Sequence, residues 1–106
     1  MSTQKIAAER WAEYFDHLSS VTDSQRVKIE LVGLSLGDQI EIDYVDFEGI
    51  SYDKRDNIIS VHTDELGHHI QKPKAVFIEE NEQGLASMQI IDKDNNQHIL
   101  YFKAKA

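Results

Sequence analysis

The chain opens with apolar residues at helical intervals. Ala7, Trp11, Tyr14, Phe15 and Leu18 fall at i, i+4, i+7, i+8 and i+11, one face of a 3.6-residue period. Glu9, Glu13 and Asp16 take the opposite face. The spacing predicts an amphipathic helix over 4–18, with Ser2 or Thr3 accepting hydrogen bonds from the free N–H groups of its first turn. Trp11 and Phe15 are its expected anchors. Ser19-Ser20, followed by Thr22-Asp23-Ser24, is expected to end it.

Beyond the helix the period drops to two. Val27, Ile29 and Leu31 alternate with Arg26, Lys28 and Glu30, and Ile40, Ile42 and Tyr44 alternate with Glu41 and Asp43. These read as half-buried strands on either side of a turn bracketed by Gly33 and Gly37. A turn over 46–49 is expected to lead into a short strand at 50–52. Asp53-Lys54-Arg55-Asp56-Asn57 is a polar reverse turn, and 58–63 is the next strand. Residues 64–74, with Gly67 and the sole proline, Pro73, read as a loop. Strands over 75–79, 85–91 and 98–102 follow, the last two as a hairpin around Asp94-Asn95-Asn96, where asparagine tolerates positive φ.

Short connections of this kind suit antiparallel pairing and leave no room for a crossover helix. The expected class is α+β: an N-terminal amphipathic helix packed on a strongly bent antiparallel β-sheet, a meander or partial barrel. A length of 106 residues favours a single domain over 1–106, with 103–106 frayed. Folding at this size buries about 65% of the surface of the unfolded chain, enough for one modest core.

Cysteine is absent, which excludes disulfides, thiolate nucleophiles and zinc–thiolate sites and fits a reducing cytosol. The first residues carry no long apolar run, and no stretch is long enough to cross a bilayer. A cytoplasmic chain without a membrane partner is expected. The net charge is −8, from 19 acidic and 11 basic residues, which disfavours nucleic acid through repulsion of its phosphates. Nearly all the excess lies between Asp38 and Glu65, where nine acids face only Lys54 and Arg55. Glu41, Asp43, Asp46 and Glu48 therefore form a candidate binding patch for a basic protein partner. An open sheet edge could also pair two copies as a homodimer.

The segment 62–69 gathers His62, His68 and His69 with Asp64 and Glu65. Imidazole and carboxylate suit a first-row metal, so His62, His68, His69 and Asp64 are candidate ligands. No HExxH spacing is present, and adjacent His68 and His69 would point to opposite faces if extended. The plainer reading is a solvated polar loop. Asp92-Lys93-Asp94-Asn95-Asn96 resembles the start of a calcium loop, but Gln97 and Lys103 stand where glycine and glutamate are needed, so a hairpin turn is expected. Neither a GxSxG elbow nor a glycine-rich phosphate loop occurs. Glu41 and Asp43, which could share acid–base work, read as a solvated strand face. No cofactor is expected.

In order along the chain stand Trp11, Phe15 and Leu18, then Gly37, then Gly49-Ile50-Ser51-Tyr52-Asp53 with Asp56, then His68 and Ile70 ahead of Pro73. On these positions the chain resembles, nearly end to end, a family of small bacterial and archaeal proteins known only as a domain of unknown function. The resemblance implies no activity and transfers no catalytic residue; His68 is the polar position it singles out. The leading functional expectation is a non-catalytic protein-interaction or ligand-binding module with an acidic surface. The alternatives are a small metal-dependent or histidine-based hydrolase, and an acidic immunity or inhibitor protein covering a basic site.

Overall fold

The computed structural model describes residues 2–21, 25–33, 37–65, 67–82 and 84–104. Its elements are β1 (Ser2–Ile6), a 3-10 turn (Ala8–Arg10), α1 (Trp11–Val21), β2 (Gln25–Gly33), β3 (Gly37–Asp53), β4 (Ile58–Thr63), β5 (His68–Gln71), β6 (Ala75–Asn81), β7 (Gly84–Ile91) and β8 (Gln97–Ala104). The strands form one eight-stranded sheet in the order β1-β6-β7-β8-β2-β3-β4-β5. Every neighbouring pair is antiparallel.

The α+β expectation is overturned by this architecture. Strands dominate, and the one α-helix among the described residues runs for 11 residues instead of the expected 4–18. Residues 2–6 form a strand, paired Ser2↔Glu80 through Ile6↔Val76 with β6. Their composition is mostly polar, so helical and extended forms differ little locally, and the backbone groups offered by β6 decide. Ser2 and Thr3 lie within β1, and Ala7, at the cap of the 3-10 turn, makes no side-chain capping bond. The helical spacing holds from Trp11 onward: Trp11, Phe15 and Leu18 are buried, while Ala7 is exposed. The indole Nε1–H of Trp11 donates to the Ile6 carbonyl at 2.9 Å, tying the start of α1 to the end of β1.

Two further expectations are corrected. β5 lies inside the segment read as a loop, and its pattern of one buried residue, Ile70, among polar neighbours is too short to show a period. The strands expected at 40–44 and 50–52 are one element, the 17-residue β3. Register against β2 shifts between Val27/Ile29 and again between Ile29/Glu30, and register against β4 shifts between Phe47/Gly49. Each shift inserts an additional residue into β3, at Glu41, at Asp43-Tyr44 and at Glu48. Tyr44 takes φ +48° there. Bulges bend a strand and increase its twist, so the sequence at 46–49 that looks like a turn is a corner within one strand.

That corner builds the core. The first half of β3 pairs with β2, from Gly33↔Gly37 to Arg26↔Asp46, and the second half pairs with β4, from Phe47↔Thr63 to Asp53↔Ile58. The sheet folds over itself, and its inner residues form one cluster with Phe15 of α1 that includes Val27, Ile29, Ile50, Ile59, Val61, Ile70, Val76, Met88, Ile90 and Leu100. Phe47 and Phe102 meet edge to face at 5.2 Å within it, and Trp11 meets Tyr52 likewise at 5.1 Å. Helix α1 lies against β3, and the Ser19 hydroxyl accepts from Ile50 N–H and donates to Ile50 C=O, both at 2.9 Å. A Cβ at Gly49 would stand 3.2 Å from Ser19 Oγ, so glycine there gives the helix its approach.

The expected hairpin at 92–97 is present, with Asn95 at φ +65°. So is the reverse turn at 53–57, where Asp53 Oδ1 accepts from the N–H groups of Arg55 and Asp56. The helix continues through the Ser19-Ser20 pair expected to end it, and of the residues expected to fray, 103 and 104 pair with β2; residues 22–24 and 105–106 lie outside the described residues. Among the described residues no helix is long and apolar enough to cross a membrane.

Candidate functional site

The histidine segment is divided by the sheet. In β4 and β5 the inward positions are Ile59, Val61, Thr63 and Ile70, and the outward positions include Ser60, His62 and His69. His62 Nε2 lies 3.2 Å from Ser51 Oγ, and His69 Nδ1 lies 2.9 Å from Ser60 Oγ. Both pairs have the spacing of a serine and its base, but both sit on an open face. No carboxylate bonds the far nitrogen of either ring among the hydrogen bonds of the described residues, so neither imidazole is oriented as a catalytic base would be. His68 points the other way, as the alternation of an extended chain requires. Among the described residues no three histidine or carboxylate side chains converge where they could hold a metal ion. Asp64 is exposed in the β4–β5 connection, its N–H donating to the Asp46 carbonyl.

The inward His68 meets the buried His98 of β8. Its Nε2 lies 2.9 Å from His98 Nδ1, and His98 Nε2 lies 2.9 Å from Asp92 Oδ2. His98 is buried on β8, in phase with inward Leu100 and Phe102; that phase is the one sequence signal that could have found it. Asp92 Oδ1 accepts from the N–H groups of Asp94 and Asn96. The candidate calcium loop is thus a turn organised by one aspartate on the hairpin backbone. Burial alone would raise the Asp92 carboxyl, but the His98 hydrogen bond and those two N–H groups hold it below the usual carboxylate value. Burial first, then His98 and His69, lowers His68 to about 4, so its ring is neutral at neutral pH.

These states fix the direction of the chain. Ionised Asp92 only accepts, so His98 Nε2 carries a proton. The tautomer that completes the array has His98 Nδ1 accepting from His68 Nε2–H. The array ties the edge strand β5 to the β7–β8 hairpin.

The acidic residues separate as well. Asp46 pairs with Arg26 at 3.5 Å, both half-exposed. Glu48 is exposed at the corner of β3. Glu41 and Asp43 line a cavity of about 250 Å³ with Ile42, Val45 and Glu65. A regular strand sends successive side chains to opposite faces; the bulges at 41 and 43–44 let near-consecutive residues line one cavity. Here β3 has lost a neighbour. β4 covers only 47–53, so residues 40–45 have a strand on the β2 side and none on the other among the described residues. Ile40, on this stretch, is 56% exposed. On the outer face beside it, Lys28 and Lys103 sit over the Tyr44 ring at 5.9 and 4.8 Å.

Comparison with known proteins places the chain. A family model described as a family of unknown function, DUF5335, matches residues 2–106, and the chain belongs to this family. An uncharacterised protein of the bacterium Aquifex aeolicus (strain VF5) is 34% identical over 104 residues, covering 97% of this chain and 94% of that protein. No solved structure matches. The resemblance drawn from sequence thus stands, and its residues have visible work: Trp11 and Tyr52 meet edge to face, Gly49 and Ile50 receive Ser19, Asp53 closes a turn and His68 joins the histidine array.

Proposed function

We propose that the chain is a non-catalytic protein-interaction module of the cytoplasm whose contact surface is the open side of β3. The observation that carries this reading is the cavity where the carboxylates of Glu41, Asp43 and Glu65 gather on the part of β3 that β4 does not cover among the described residues. Unpaired strand edges are templates for another chain, and one-signed charge steers a partner of opposite sign. The absence of cysteine fits a reducing compartment. The side chains with catalytic chemistry support the same reading, since His98 and Asp92 bond one another within the fold and the two serine–histidine pairs lack an orienting group.

Native mass spectrometry of the untagged protein from its own source at modest salt tests this. A stoichiometric basic protein is expected, retained by the unaltered chain and released from a Glu41→Gln, Asp43→Asn, Glu65→Gln triple variant that keeps its fold. Equal retention by that variant counts against the reading.

A further inference from the structure

We infer that the occupant of this surface is a basic segment in extended form, which adds to β3 as a further strand and seats one lysine or arginine side chain in the cavity. The inference rests on the reading of the β3 edge as the contact surface, and specifies the chemistry and geometry of what binds there.

Three features select that occupant. The first is length. Residues 40–45 run with no strand on the side away from β2 among the described residues. At about 3.3 Å per residue this accommodates a segment of roughly six residues. An extended segment can bond those backbone groups that face away from β2 outside the bulges, whereas a helix or a compact surface would reach fewer of them.

The second is the cavity. Its volume of about 250 Å³ lies below the roughly 300–1,000 Å³ of pockets that enclose small molecules and suits a single long side chain. Ile42 and Val45 give it apolar wall, and Glu41, Asp43 and Glu65 give it carboxylates. An apolar stem ending in a cation meets both surfaces at once, and a guanidinium can take two carboxylate oxygens together.

The third is the sign of the edge charge. Charged residues and bulges are how natural sheets keep their edges from joining copies of themselves. Both devices are here, with the bulges at 41 and 43–44. The charge, however, is all of one sign. An antiparallel pair of two such edges would set Glu41 and Asp43 of one copy against those of the other, and like charges directly opposite destabilise a strand pair. A strand carrying lysine or arginine reverses that term. The residues that exclude a second copy are therefore the ones that admit a basic partner. Exposed Ile40 offers an apolar contact on the outer side of the same stretch.

The experiment uses the full chain and a fluorescent peptide of about nine alternating lysines and valines, long enough to run the open edge. Three companions are an N-methylated version that keeps the charge but blocks one strand edge, an alternating D/L version that keeps the charge but cannot extend, and a glutamate–valine version. Anisotropy titrations are read alongside hydrogen–deuterium exchange of the β3 amides and sedimentation of the chain alone.

The lysine–valine peptide is expected to bind and to slow exchange within 40–45. Affinity should fall about tenfold or more on N-methylation, on D/L alternation and in the Glu41→Gln, Asp43→Asn, Glu65→Gln variant, the scale of a lost well-placed contact. The glutamate–valine peptide should not bind. If all the cationic peptides bind equally, exchange is unchanged and only the triple variant loses them, strand addition is overturned while the acidic contact surface stands. If the triple variant binds every peptide as well as the unaltered chain, the contact surface falls with it. Failure of the lysine–valine peptide to bind overturns the inference, as does protection of 40–45 that grows with the chain's own concentration, which would make the occupant a second copy. Unchanged urea midpoints for the triple variant keep loss of binding separate from loss of fold.

Discussion

Ser19 and Ile50 face each other across the contact between α1 and β3, and one hydroxyl satisfies both the N–H and the C=O of the same strand residue at 2.9 Å. The contact falls where β2 no longer runs beside β3, so the helix side chain takes the place of a strand neighbour. The short helix is thus an edge cover for half of β3, while the other half is left open on its opposite side.

Ser19→Ala removes both bonds and leaves two backbone groups of Ile50 in a partly buried site. A loss of about 1–3 kcal/mol in urea unfolding is expected, the range for stranding such groups. Gly49→Ala should cost a similar amount, because its Cβ would stand 3.2 Å from Ser19 Oγ. Since both changes disturb one contact, the double variant should lose less than the two single losses combined. Strict additivity would argue against the shared contact.

The histidines should respond unequally to truncation. His98→Ala leaves a space beneath β8 and strands Asp92 Oδ2 and His68 Nε2, which together predict a loss of about 2–4 kcal/mol. His62→Ala and His69→Ala remove rings from the open face and should each change stability by no more than about 0.5 kcal/mol. Urea midpoints of the three variants decide this. A large effect at His62 or His69 would mean that the outer serine–histidine pairs carry structure.

Acid should loosen the fold through His68. Its folded value is about 4 against an ordinary 6.5, so between those values the unfolded chain binds a proton that the folded chain refuses. The contribution is therefore complete above pH 6.5, declines as pH falls and is gone by about pH 4. At about 1.4 kcal/mol per pH unit, and allowing for solvent around this half-buried ring, roughly 2 kcal/mol is at stake. The difference in urea stability between the unaltered chain and His68→Gln, measured at pH 7, 5.5 and 4, isolates it from the carboxylates. A difference that stays constant with pH would refute the assignment.

Trp11→Phe keeps a ring against Tyr52 but removes the bond to the Ile6 carbonyl. A cost of about 1 kcal/mol is expected, with amide exchange quickening in β1 before the rest of the sheet. Uniform acceleration across all strands would show that the bond supports the whole fold and not the docking of β1.

What the sequence makes legible follows burial on one face. β2, β4, β6, β7 and β8 alternate apolar and polar residues, and each is found within a few residues of its expected bounds. β1 and β5 escape because edge strands are held on one side by backbone bonds, which leave no mark on residue type; their apolar members are only Ile6 and Ile70. The continuity of β3 escapes because its bulges break the period of two at the positions that would carry it across. At the site, the opposition of His68 and His69 is readable from extended geometry alone. The His68–His98–Asp92 array is not, since it joins residues 30 apart in sequence at a distance only the folded sheet sets. The grouping of Glu41 with Asp43 and Glu65, and the pairing of Asp46 with Arg26, depend on the same bends.

The strand order also has a consequence in time. β1 finds its neighbour in β6, and β2 finds one of its two in β8. On a growing chain, the first strand waits at least seventy residues for its mate, as Ile6↔Val76 requires, and β2 lacks one flank until β8 has emerged. Folding cannot proceed from the N-terminus forward, as it does where neighbours in sequence are neighbours in space. Until the last strand is laid, β2 shows on that flank a row of backbone N–H and C=O groups without their ladder partners.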